Sequence, residues 1–344
     1  MKAYRFYIPG SPLKLEDVPE PKLGHNDVLV KVKASGICGT DTHIFHGNYL
    51  PKDIPVILGH ECSGIVEKIG EDVKNVNVGD RVCVNYVISC GQCRHCFQGN
   101  DNRCLNRKTF GVDLDGAFAE YAVAPARNIF KLPEEIPFEH GAIIGCAVVT
   151  PFHALRVSEL QPGDSIAIFG LGGVGMHAVA WAKVFGASKI IGIDIVDFKL
   201  RLAKEMGADE VINASKEDPV EAIKSVTDGY GVDIAMDCAG GEKPIRWAIE
   251  SVTRETRYAS GVVVSVALPP PILIEKPFEL REGSLRKSGN HTRDDLRRVI
   301  ELVRAGRIDL SKTVTHKLPF KDLNKGLELL DKKKENVVRV VITQ

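Results

Sequence analysis

The sequence has no surplus of charge of either sign. Its 344 residues include 45 Lys and Arg and 45 Asp and Glu, so the formal net charge at pH 7 is zero. A protein that binds nucleic acid through its phosphates needs a basic surplus, which this chain does not have. The charge balance therefore argues against a nucleic-acid-binding function.

Long apolar runs are scarce as well. We expect no membrane-spanning segment, because no run approaches the roughly 20 apolar residues that cross a bilayer. Residues 1–22 lack the apolar core of a signal peptide and suggest an ordinary first strand. The sequence also contains no internal repeat and no low-complexity segment. We therefore expect a cytoplasmic protein that contacts neither nucleic acid nor membrane.

Disulfide bonds are not expected, although the chain has nine cysteines. The count is odd, and the cytosol keeps thiols reduced. Metal binding, redox chemistry and core packing remain as explanations. Cys62, Cys83 and Cys238 lie in apolar or strand-like contexts, and we interpret each as a small buried hydrophobic side chain.

The pattern of elements changes near residue 150. Before it, β-branched residues broken by Gly and Pro predict a barrel-like or sandwich-like domain, with strands at 27–37, 62–70, 79–88 and 117–124. After it, short apolar runs alternate with helical patterns, which predicts βαβ units and a parallel sheet. The predicted strands are 165–169, 189–195, 209–215, 232–240 and 261–268, and the predicted helices are 177–187, 197–208 and 218–229. Two further helices are predicted at 294–308 and 321–334, with a final strand at 337–343.

A glycine-rich motif follows the first of these parallel strands. Gly170, Gly172 and Gly175 form GxGxxG, with Gly173 and Val174 inside it, and a predicted helix begins there. In this context the first Gly permits a tight turn, the second lets the backbone approach a pyrophosphate, and the third allows close packing of helix and strand. The motif predicts a dinucleotide site at the helix N-terminus. A purely structural glycine-rich turn is the alternative.

Asp194 ends the next predicted strand. A carboxylate at this place accepts hydrogen bonds from the adenosine ribose and repels a 2′-phosphate, which favours NAD over NADP. Lys199 and Arg201 follow closely, so some use of NADP stays open. We include Lys199 among the candidate cofactor-binding residues.

Four cysteines are crowded into one short stretch. Cys90, Cys93 and Cys96 repeat every third residue and Cys104 follows. Four thiolates from one loop can close a tetrahedron around Zn²⁺ with no open position, which is the arrangement of a structural site. An iron–sulfur cluster is the rival, but the fourth cysteine comes too late for that pattern and no Pro follows it.

A second candidate metal set is spread along the chain. Cys38, His60, Glu61 and Cys146 each lie at an expected strand end or tight turn, where side chains can converge. Two thiolates and an imidazole leave one position of Zn²⁺ open for an alcohol or carbonyl oxygen. Taken singly, each residue is explained equally well by core packing.

The motifs GICGTDTH, LGHECSGIV, GCAVVT, GLGGVG and THKLPF, with the four-cysteine stretch, occur here in a distinctive order. The chain resembles the zinc-containing alcohol dehydrogenases of the medium-chain dehydrogenase/reductase superfamily over nearly its whole length. The resemblance implies an α/β protein with two domains. A GroES-like β-rich catalytic domain would span 1–148 and 286–344, with a structural zinc lobe at about 86–107. A doubly wound Rossmann NAD-binding domain would span 149–285.

The resemblance also implies roles for single residues. Cys38, His60 and Cys146 match the ligands of a catalytic zinc, with Glu61 as a carboxylate that approaches the metal during ligand exchange. Asp41 matches the carboxylate that orients the zinc-bound histidine.

Further matches concern the proton and the cofactor. Thr40 matches the hydroxyl that takes the alcohol proton, and His43 matches the residue that passes it to solvent. Thr150 matches a threonine beside the nicotinamide ring, and Arg339 matches a basic residue near the pyrophosphate. Gly39 departs from relatives that carry Arg or His there, and His291 and the segment 281–296 have no assigned role.

We therefore expect an oxidoreductase that uses two Zn²⁺ per chain and NAD to interconvert an alcohol and an aldehyde or ketone. Polyol dehydrogenases of the superfamily lack the cysteine that matches Cys146, so its presence favours the alcohol branch. A polyol, sugar or threonine dehydrogenase remains an alternative function. A non-catalytic NAD-binding protein is a further alternative, against which the intact cysteine–histidine set argues.

The resemblance implies a homo-oligomer, a tetramer or a dimer. The strand at 261–268 is expected at the sheet edge, where it would pair across a two-fold axis.

Overall fold

The computed structural model describes residues 1–252, 261–266, 283–332 and 336–344. Its strands are, in chain order, β1 (Lys2–Phe6), β2 (Lys14–Asp17), β3 (Asp27–Ile37), β4 (Val56–Ile57), β5 (Glu61–Ile69), β6 (Arg81–Val84), β7 (Val87–Ile88), β8 (Lys108–Thr109), β9 (Tyr121–Pro125), β10 (Ile129–Lys131), β11 (Ser165–Phe169), β12 (Lys189–Asp194), β13 (Glu210–Asn213), β14 (Ile234–Asp237), β15 (Val262–Ser265), β16 (Ser284–Lys287), β17 (Val314–Pro319) and β18 (Arg339–Thr343). Its helices are α1 (Gly39–Phe45), α2 (Arg94–Phe97), α3 (Phe138–Ile143), α4 (Val149–Ser158), α5 (Gly173–Val184), α6 (Asp197–Met206), α7 (Pro219–Ser225), α8 (Glu242–Ser251), α9 (Arg293–Arg304) and α10 (Leu323–Lys332). Short 3₁₀ turns lie at Asp101–Arg103, Ala126–Asn128 and Phe320–Asp322, and a π-helical turn lies at Ile144–Val148.

The described chain divides into two compact units. The first comprises Met1–Val149 and Asn290–Gln344, and the second comprises Thr150–Gly289. The chain therefore leaves the first unit, forms the second, and returns.

The first unit is built around a seven-stranded sheet. Its order is β10-β6-β5-β3-β18-β17, and β9 also pairs with β3. β3 is the longest strand and pairs antiparallel with β5, β9 and β18, so the last strand of the chain lies directly against one of the first. Apolar side chains of this sheet are buried in two clusters, which include Val28 and Val30 in one and Ile37 and Ile342 in the other.

The strand predicted at 79–88 is interrupted in the structure. β6 ends at Val84 and β7 begins at Val87, with Asn85 and Tyr86 between them. The backbone N–H of Asn85 donates to the carbonyl of Asn128 (2.8 Å), and the Asn128 amide donates to the carbonyls of Asn85 (2.9 Å) and Val87 (2.8 Å). These bonds replace the ladder at the break, so the backbone polar groups stay paired.

The second unit has the parallel sheet that the sequence pattern predicted, in the doubly wound form that the family resemblance implied. Six parallel strands run in the order β13-β12-β11-β14-β15-β16, with successive strands joined by crossovers. In sheets with this strand order, ligands bind at the carboxyl ends of the strands. The binding position lies beside the first strand, here β11, where the order of the strands reverses direction. The central strands β11 and β14 are almost fully buried, as parallel strands covered on both faces must be.

Several sequence expectations need correction. The strand predicted at 261–268 is not at the sheet edge, because β16 pairs with β15 on its outer side. Helix α8 was not predicted. Residues 267–268 of that predicted strand and residues 333–334 of the predicted C-terminal helix lie outside the described residues.

The described part of the chain contains one long apolar helical stretch, although the sequence has no continuous apolar run of about 20 residues. The helical stretch 138–158, which comprises α3, the π-helical turn and α4, has 21 residues and a mean hydropathy of 1.4 in its most apolar window. By length and composition it is one candidate span among the described residues, but 83% of that window is buried inside the protein. Such burial is typical of a core helix.

Candidate active site and metal clusters

The dispersed candidate metal set converges in the first unit. The ligand atoms of Cys38, His60, Glu61 and Cys146 all lie within 4.8 Å of one another, and all four residues are buried. Cys38 follows the end of β3, and Cys146 lies in the π-helical turn. Glu61 is the first residue of the neighbouring strand β5, and His60 directly precedes it. Pairing of β3 with β5 brings the first three together, since Gly36 lies opposite Glu61 in the register.

Asp41 connects the backbone of Cys38 with the imidazole of His60. Its Oδ2 accepts a hydrogen bond from the Cys38 N–H (2.8 Å), which caps helix α1. Its Oδ1 lies 4.0 Å from Nδ1 of His60. Within the described residues neither of these last two atoms has a hydrogen-bond partner. The predicted orienting carboxylate therefore faces the imidazole, at a distance longer than a hydrogen bond.

The donor set has the electrostatics of a cation site. Burial opposes the imidazolium, but the Cys38 thiolate and the carboxylates of Asp41 and Glu61 raise the pKa of His60 to about 9. The hydrogen bond between the two thiols lowers the pKa of Cys38 and raises that of Cys146. These shifts reflect a concentration of buried negative groups, which a divalent cation would neutralise.

The geometry fits zinc. Donors at about 2.0–2.3 Å from one tetrahedral Zn²⁺ ion lie roughly 3.3–3.8 Å apart. Two thiolates, one imidazole and a carboxylate oxygen grouped inside 4.8 Å are compatible with a single shared ion. Cys38, His60 and Cys146 are the residues that would hold it.

A buried ion pair lies beside this cluster. Arg339, the first residue of β18, makes a close ion pair with Glu61, and their side chains are 3% and 0% exposed. Burial raises the pKa of Glu61 to about 7, although the Arg339 guanidinium acts in the opposite direction. The structure thus commits Arg339 to Glu61, and its predicted contact with a pyrophosphate stays a prediction.

Gly36 makes room for this pair, a role that sequence reasoning missed. It lies on β3 between the two partners, opposite Glu61 on β5 and Val341 on β18. A methyl group at position 36 would overlap Oε2 of Glu61. The only sequence signal was a glycine inside the GICG motif, where a close approach is one of several reasons for a glycine.

The predicted proton-transfer residues lie on α1. Thr40 is half-buried two residues after Cys38, and His43 is exposed on the same helix. Thr150 is buried at the start of the second unit. Their predicted roles in proton transfer and nicotinamide binding are not decided by these positions.

The four-cysteine stretch forms a second donor cluster. The ligand atoms of Cys90, Cys93, Cys96 and Cys104 lie within 4.8 Å of one another. Sγ of Cys96 is 3.5 Å from Sγ of Cys93 and 4.0 Å from Sγ of Cys90, and the Cys90 N–H donates to Sγ of Cys104 (3.2 Å). A backbone N–H bond from Cys96 is the largest cause that lowers the pKa of Cys93 to about 6. Four thiolates at this spacing fit a closed structural zinc site.

This lobe is attached to the rest of the first unit through Asp101. Asp101 is buried, and its Oδ1 accepts a hydrogen bond from the N–H of Arg293 (3.3 Å) at the start of α9. The Arg293 side chain donates to the carbonyl of Arg127 (2.9 Å). Two charge-assisted hydrogen bonds therefore hold the start of α9, one to the lobe at Asp101 and one to the 3₁₀ turn at Ala126–Asn128.

The glycine-rich loop of the second unit has the geometry of a phosphate cradle. Gly170 has a φ of +90° and lies against Ala239, while a Cβ at Gly175 would overlap the carbonyl of Gly170. A Cβ at Gly172 would meet nothing within 4 Å, so this face of the loop is open to a ligand. Gly173 and Val174 are the first residues of α5, whose early N–H groups a helix leaves unpaired.

Asp194 at the end of β12 is fixed by backbone donors. Its Oδ2 accepts from the N–H of Leu171 (2.7 Å), and its Oδ1 accepts from those of Ile195 (2.8 Å) and Val196 (3.1 Å). Lys199 Nζ lies 3.9 Å from Oδ2. Because a carboxylate accepts about four hydrogen bonds, Asp194 retains capacity for a ligand hydroxyl.

Comparisons with known proteins cover both units. A family model described as the alcohol dehydrogenase GroES-like domain matches residues 24–134, and one described as zinc-binding dehydrogenase matches residues 173–305. An L-threonine 3-dehydrogenase of Bacillus velezensis is 37% identical over 328 residues, which is 92% of each chain. An alcohol dehydrogenase of Geobacillus stearothermophilus is 36% identical over 328 residues, which is 94% of each chain. The solved structure of alcohol dehydrogenase TADH from Thermus sp. ATN1 superposes with a TM-score of 0.91 at 32% identity, covering 100% of this chain and 99% of that one.

The ion pair over Gly36 yields a stability prediction. We expect Gly36→Ala to lower the free energy of unfolding by about 3 kcal/mol, because displacing Glu61 leaves a buried charge uncompensated. Urea denaturation measures this change. Gly39→Ala is the matched control, since a Cβ at Gly39 meets nothing within 4 Å. Equal stability of the two variants would contradict the role assigned to Gly36.

The four-cysteine cluster yields a prediction about metal content. We expect Cys93→Ser to lose one of two zinc ions per chain and to melt at a lower temperature, because three thiolates no longer close the tetrahedron. Elemental analysis and thermal denaturation measure both effects. Cys238→Ser, outside both donor clusters, is the control and should retain two zinc ions. A Cys93→Ser protein with full zinc content and unchanged melting would show that the cluster is not a metal site.

Proposed function

The chain belongs to the zinc-containing alcohol dehydrogenase family of the medium-chain dehydrogenase/reductase superfamily, and on this premise we propose that it transfers a hydride between an alcohol and NAD. The product is an aldehyde or ketone, and the reaction is reversible. The observation that carries the proposal is the convergence of Cys38, His60 and Cys146 in a buried cluster, in a chain that also folds a dinucleotide-binding unit.

The cluster supplies the binding position for the reacting oxygen. Cys38, His60 and Cys146 would hold zinc with three donors, which leaves one position for substrate, and Glu61 offers an exchangeable oxygen. When bound in this way, zinc lowers the pKa of an alcohol and polarises a carbonyl. Asp41 holds the Cys38 backbone through a hydrogen bond and lies beside the His60 imidazole, so it fixes the first of the three donors.

Proton release uses α1. The Thr40 hydroxyl accepts a hydrogen bond from the alcohol and, as it takes up that proton, gives its own toward His43. His43 passes the proton to solvent, to which its side chain is exposed. Both residues lie on the helix that begins at Cys38, so their positions are set by the same capping interaction that holds the metal ligand.

The second unit binds NAD, which accepts the hydride. The open face at Gly172 and the N-terminus of α5 receive the pyrophosphate. Asp194 accepts from an adenosine ribose hydroxyl, and its charge repels the 2′-phosphate of NADP. Thr150 contacts the nicotinamide side of the cofactor.

A threonine or polyol dehydrogenase is the second candidate. One relative of 37% identity is named L-threonine 3-dehydrogenase, so sequence similarity alone does not select the alcohol branch. Cys146 favours a simple alcohol, because a third protein ligand is then a thiolate and not a glutamate. We further propose a cytoplasmic homo-oligomer, in keeping with nine cysteines that are all free.

The proposal is tested by following NAD reduction optically with primary, secondary and benzylic alcohols, sorbitol and threonine, each with and without a chelator. We expect chelator-sensitive turnover of simple alcohols. Cys38→Ala should reduce kcat/KM by about 10³-fold or more, because a bound metal contributes several kcal/mol of transition-state stabilisation. Each tenfold loss of rate corresponds to about 1.4 kcal/mol. NAD binding, measured by fluorescence, should persist.

Cys62→Ala is the control for this variant. Cys62 is a free, fully buried cysteine of the same unit that lies outside both donor clusters, and burial raises its pKa as expected for an inert thiol. It should keep near-normal turnover. Turnover of sorbitol or threonine alone would replace the substrate class, and a fully active Cys38→Ala would refute the zinc mechanism.

Asp194 yields a prediction of cofactor preference. We expect Asp194→Ser to lower the ratio of kcat/KM for NAD to that for NADP by about 10- to 100-fold, the range for losing a hydrogen bond to a charged group. Steady-state kinetics with both cofactors measure the ratio. Asp197→Ser is the control, since Asp197 is exposed at the start of the next helix and pairs with Lys216. An unchanged ratio in Asp194→Ser would remove Asp194 from cofactor selection.

A further inference from the structure

Three buried aromatic rings form a continuous row that begins at the metal cluster. The Tyr86 ring lies 5.1 Å from the His60 imidazole at an interplanar angle of 71°, and 5.2 Å from the His291 imidazole at 81°. The exposed fractions of His60, Tyr86 and His291 are 2%, 8% and 0%. Both contacts are edge-to-face, the geometry that aromatic pairs prefer. Tyr86 thus lies between a metal-cluster residue and His291.

The outer end of the row is fixed by hydrogen bonds. The Tyr86 hydroxyl donates to Oδ1 of Asn290 (3.2 Å), and Nε2 of His291 lies 3.1 Å from Oδ1 of Asn85. The same Oδ1 accepts from the N–H of Val87 (2.9 Å). Because this oxygen is an acceptor, His291 must donate from Nε2, which sets its tautomer.

The backbone segments that carry these residues are themselves held. Asn85 and Val87 are bound by the Asn128 amide at the break between β6 and β7. On the other side, Thr292 caps α9 through its bond with Asp295, and His291 precedes this cap. The Tyr86 ring therefore has little freedom to move. Because it packs edge-to-face against the His60 imidazole, it also limits the rotation of that ring.

His60 needs such a constraint. Its Nδ1 lies 4.0 Å from Asp41 Oδ1 and, among the described residues, has no hydrogen-bond partner. Neighbours that orient a metal-binding histidine strongly affect metal affinity. In this structure the ring contact with Tyr86 supplies orientation that the carboxylate contact does not.

We infer that Tyr86 and His291 are positioning residues that hold the His60 imidazole in the orientation that metal binding requires. The inference rests on the proposed function, in which His60 is a zinc ligand. It gives a role to His291, a buried histidine that the catalytic scheme does not use, and to the break between β6 and β7.

The test uses the full-length protein, stripped of metal and reloaded with Co²⁺, whose d–d absorption reports ligand geometry without any substrate. The spectrum of Cys38→Ala, which retains only the four-cysteine site, is subtracted to isolate the site at His60. We expect Tyr86→Leu to change the remaining bands and to weaken Co²⁺ binding in chelator competition by about 10- to 100-fold. His291→Leu should shift both readouts in the same direction.

Two variants separate positioning from general destabilisation. Tyr86→Phe keeps the ring and loses only the bond to Asn290, so it should retain the bands and most of the affinity. Phe6→Leu removes a fully buried aromatic ring of the same unit from another apolar cluster, and it should leave the Co²⁺ spectrum unchanged. The double variant Tyr86→Leu/His291→Leu should resemble Tyr86→Leu alone, because His291 acts through Tyr86.

The outcomes distinguish this inference from the proposed function. A wild-type spectrum and wild-type affinity in Tyr86→Leu would overturn the inference. A wild-type protein that binds Co²⁺ at His60 but oxidises no alcohol would overturn the proposed function, while the variants still decide the inference. A wild-type spectrum identical to that of Cys38→Ala would overturn both.

Discussion

The candidate metal site of the first unit depends on one buried ion pair, between Glu61 and Arg339. Taking a carboxylate and a guanidinium out of water is costly, and only their mutual contact and the neighbouring charges offset that cost. Here burial opposes the guanidinium, but the negative charges of Glu61 and of the Cys38 thiolate raise the pKa of Arg339. The pair therefore links β5, which begins with Glu61, to the final strand β18 across the intervening strand β3. The cation of this pair is one that the cluster itself stabilises. This contact requires a glycine at position 36, because the ion pair crosses β3 at Gly36 and a Cβ there would overlap the Glu61 carboxylate.

This arrangement explains why the chain must return to the first unit after forming the second. The segment from 290 onward supplies Asn290 and His291 to the row of rings at His60, and Arg293 to the four-cysteine lobe. The same segment supplies Arg339 to Glu61. A first unit that ended near residue 149 would have the metal donors, but it would lack the cation that compensates them and the side chains that orient them. The dinucleotide-binding unit is thus an insertion into a metal-binding unit, and both flanking segments are needed to complete that unit.

The features that could be predicted from the sequence are those whose residues lie close together along the chain. The glycine-rich loop, the alternation of strands and helices after residue 150, and the four-cysteine stretch each lie within a few turns of chain, so spacing alone indicates their chemistry. The strand at 165–169 was predicted with the bounds that the structure gives it. Donors far apart in sequence, such as Cys38 and Cys146, could be grouped only by their chemistry and by their expected places at strand ends and turns. Their separate roles came from the family resemblance, because periodicity carries no information about which strand ends meet.

The parts that could not be predicted depend on contacts between segments that are distant in sequence. The apolar stretch at 138–158 gave no sign of a helix, since its residues are buried nearly all round and show no polar face to mark a period. Tyr86 was assigned to a continuous strand, because nothing in GDRVCVNYVI shows that Asn128 and His291 will pair with Asn85 and interrupt it. A buried histidine such as His291 is equally consistent with packing until its neighbours are known. The role inferred for His291 follows from its contact with Tyr86, and the role inferred for Tyr86 follows from its contact with His60. The sequence could therefore indicate the candidate ligand but not the residues that orient it.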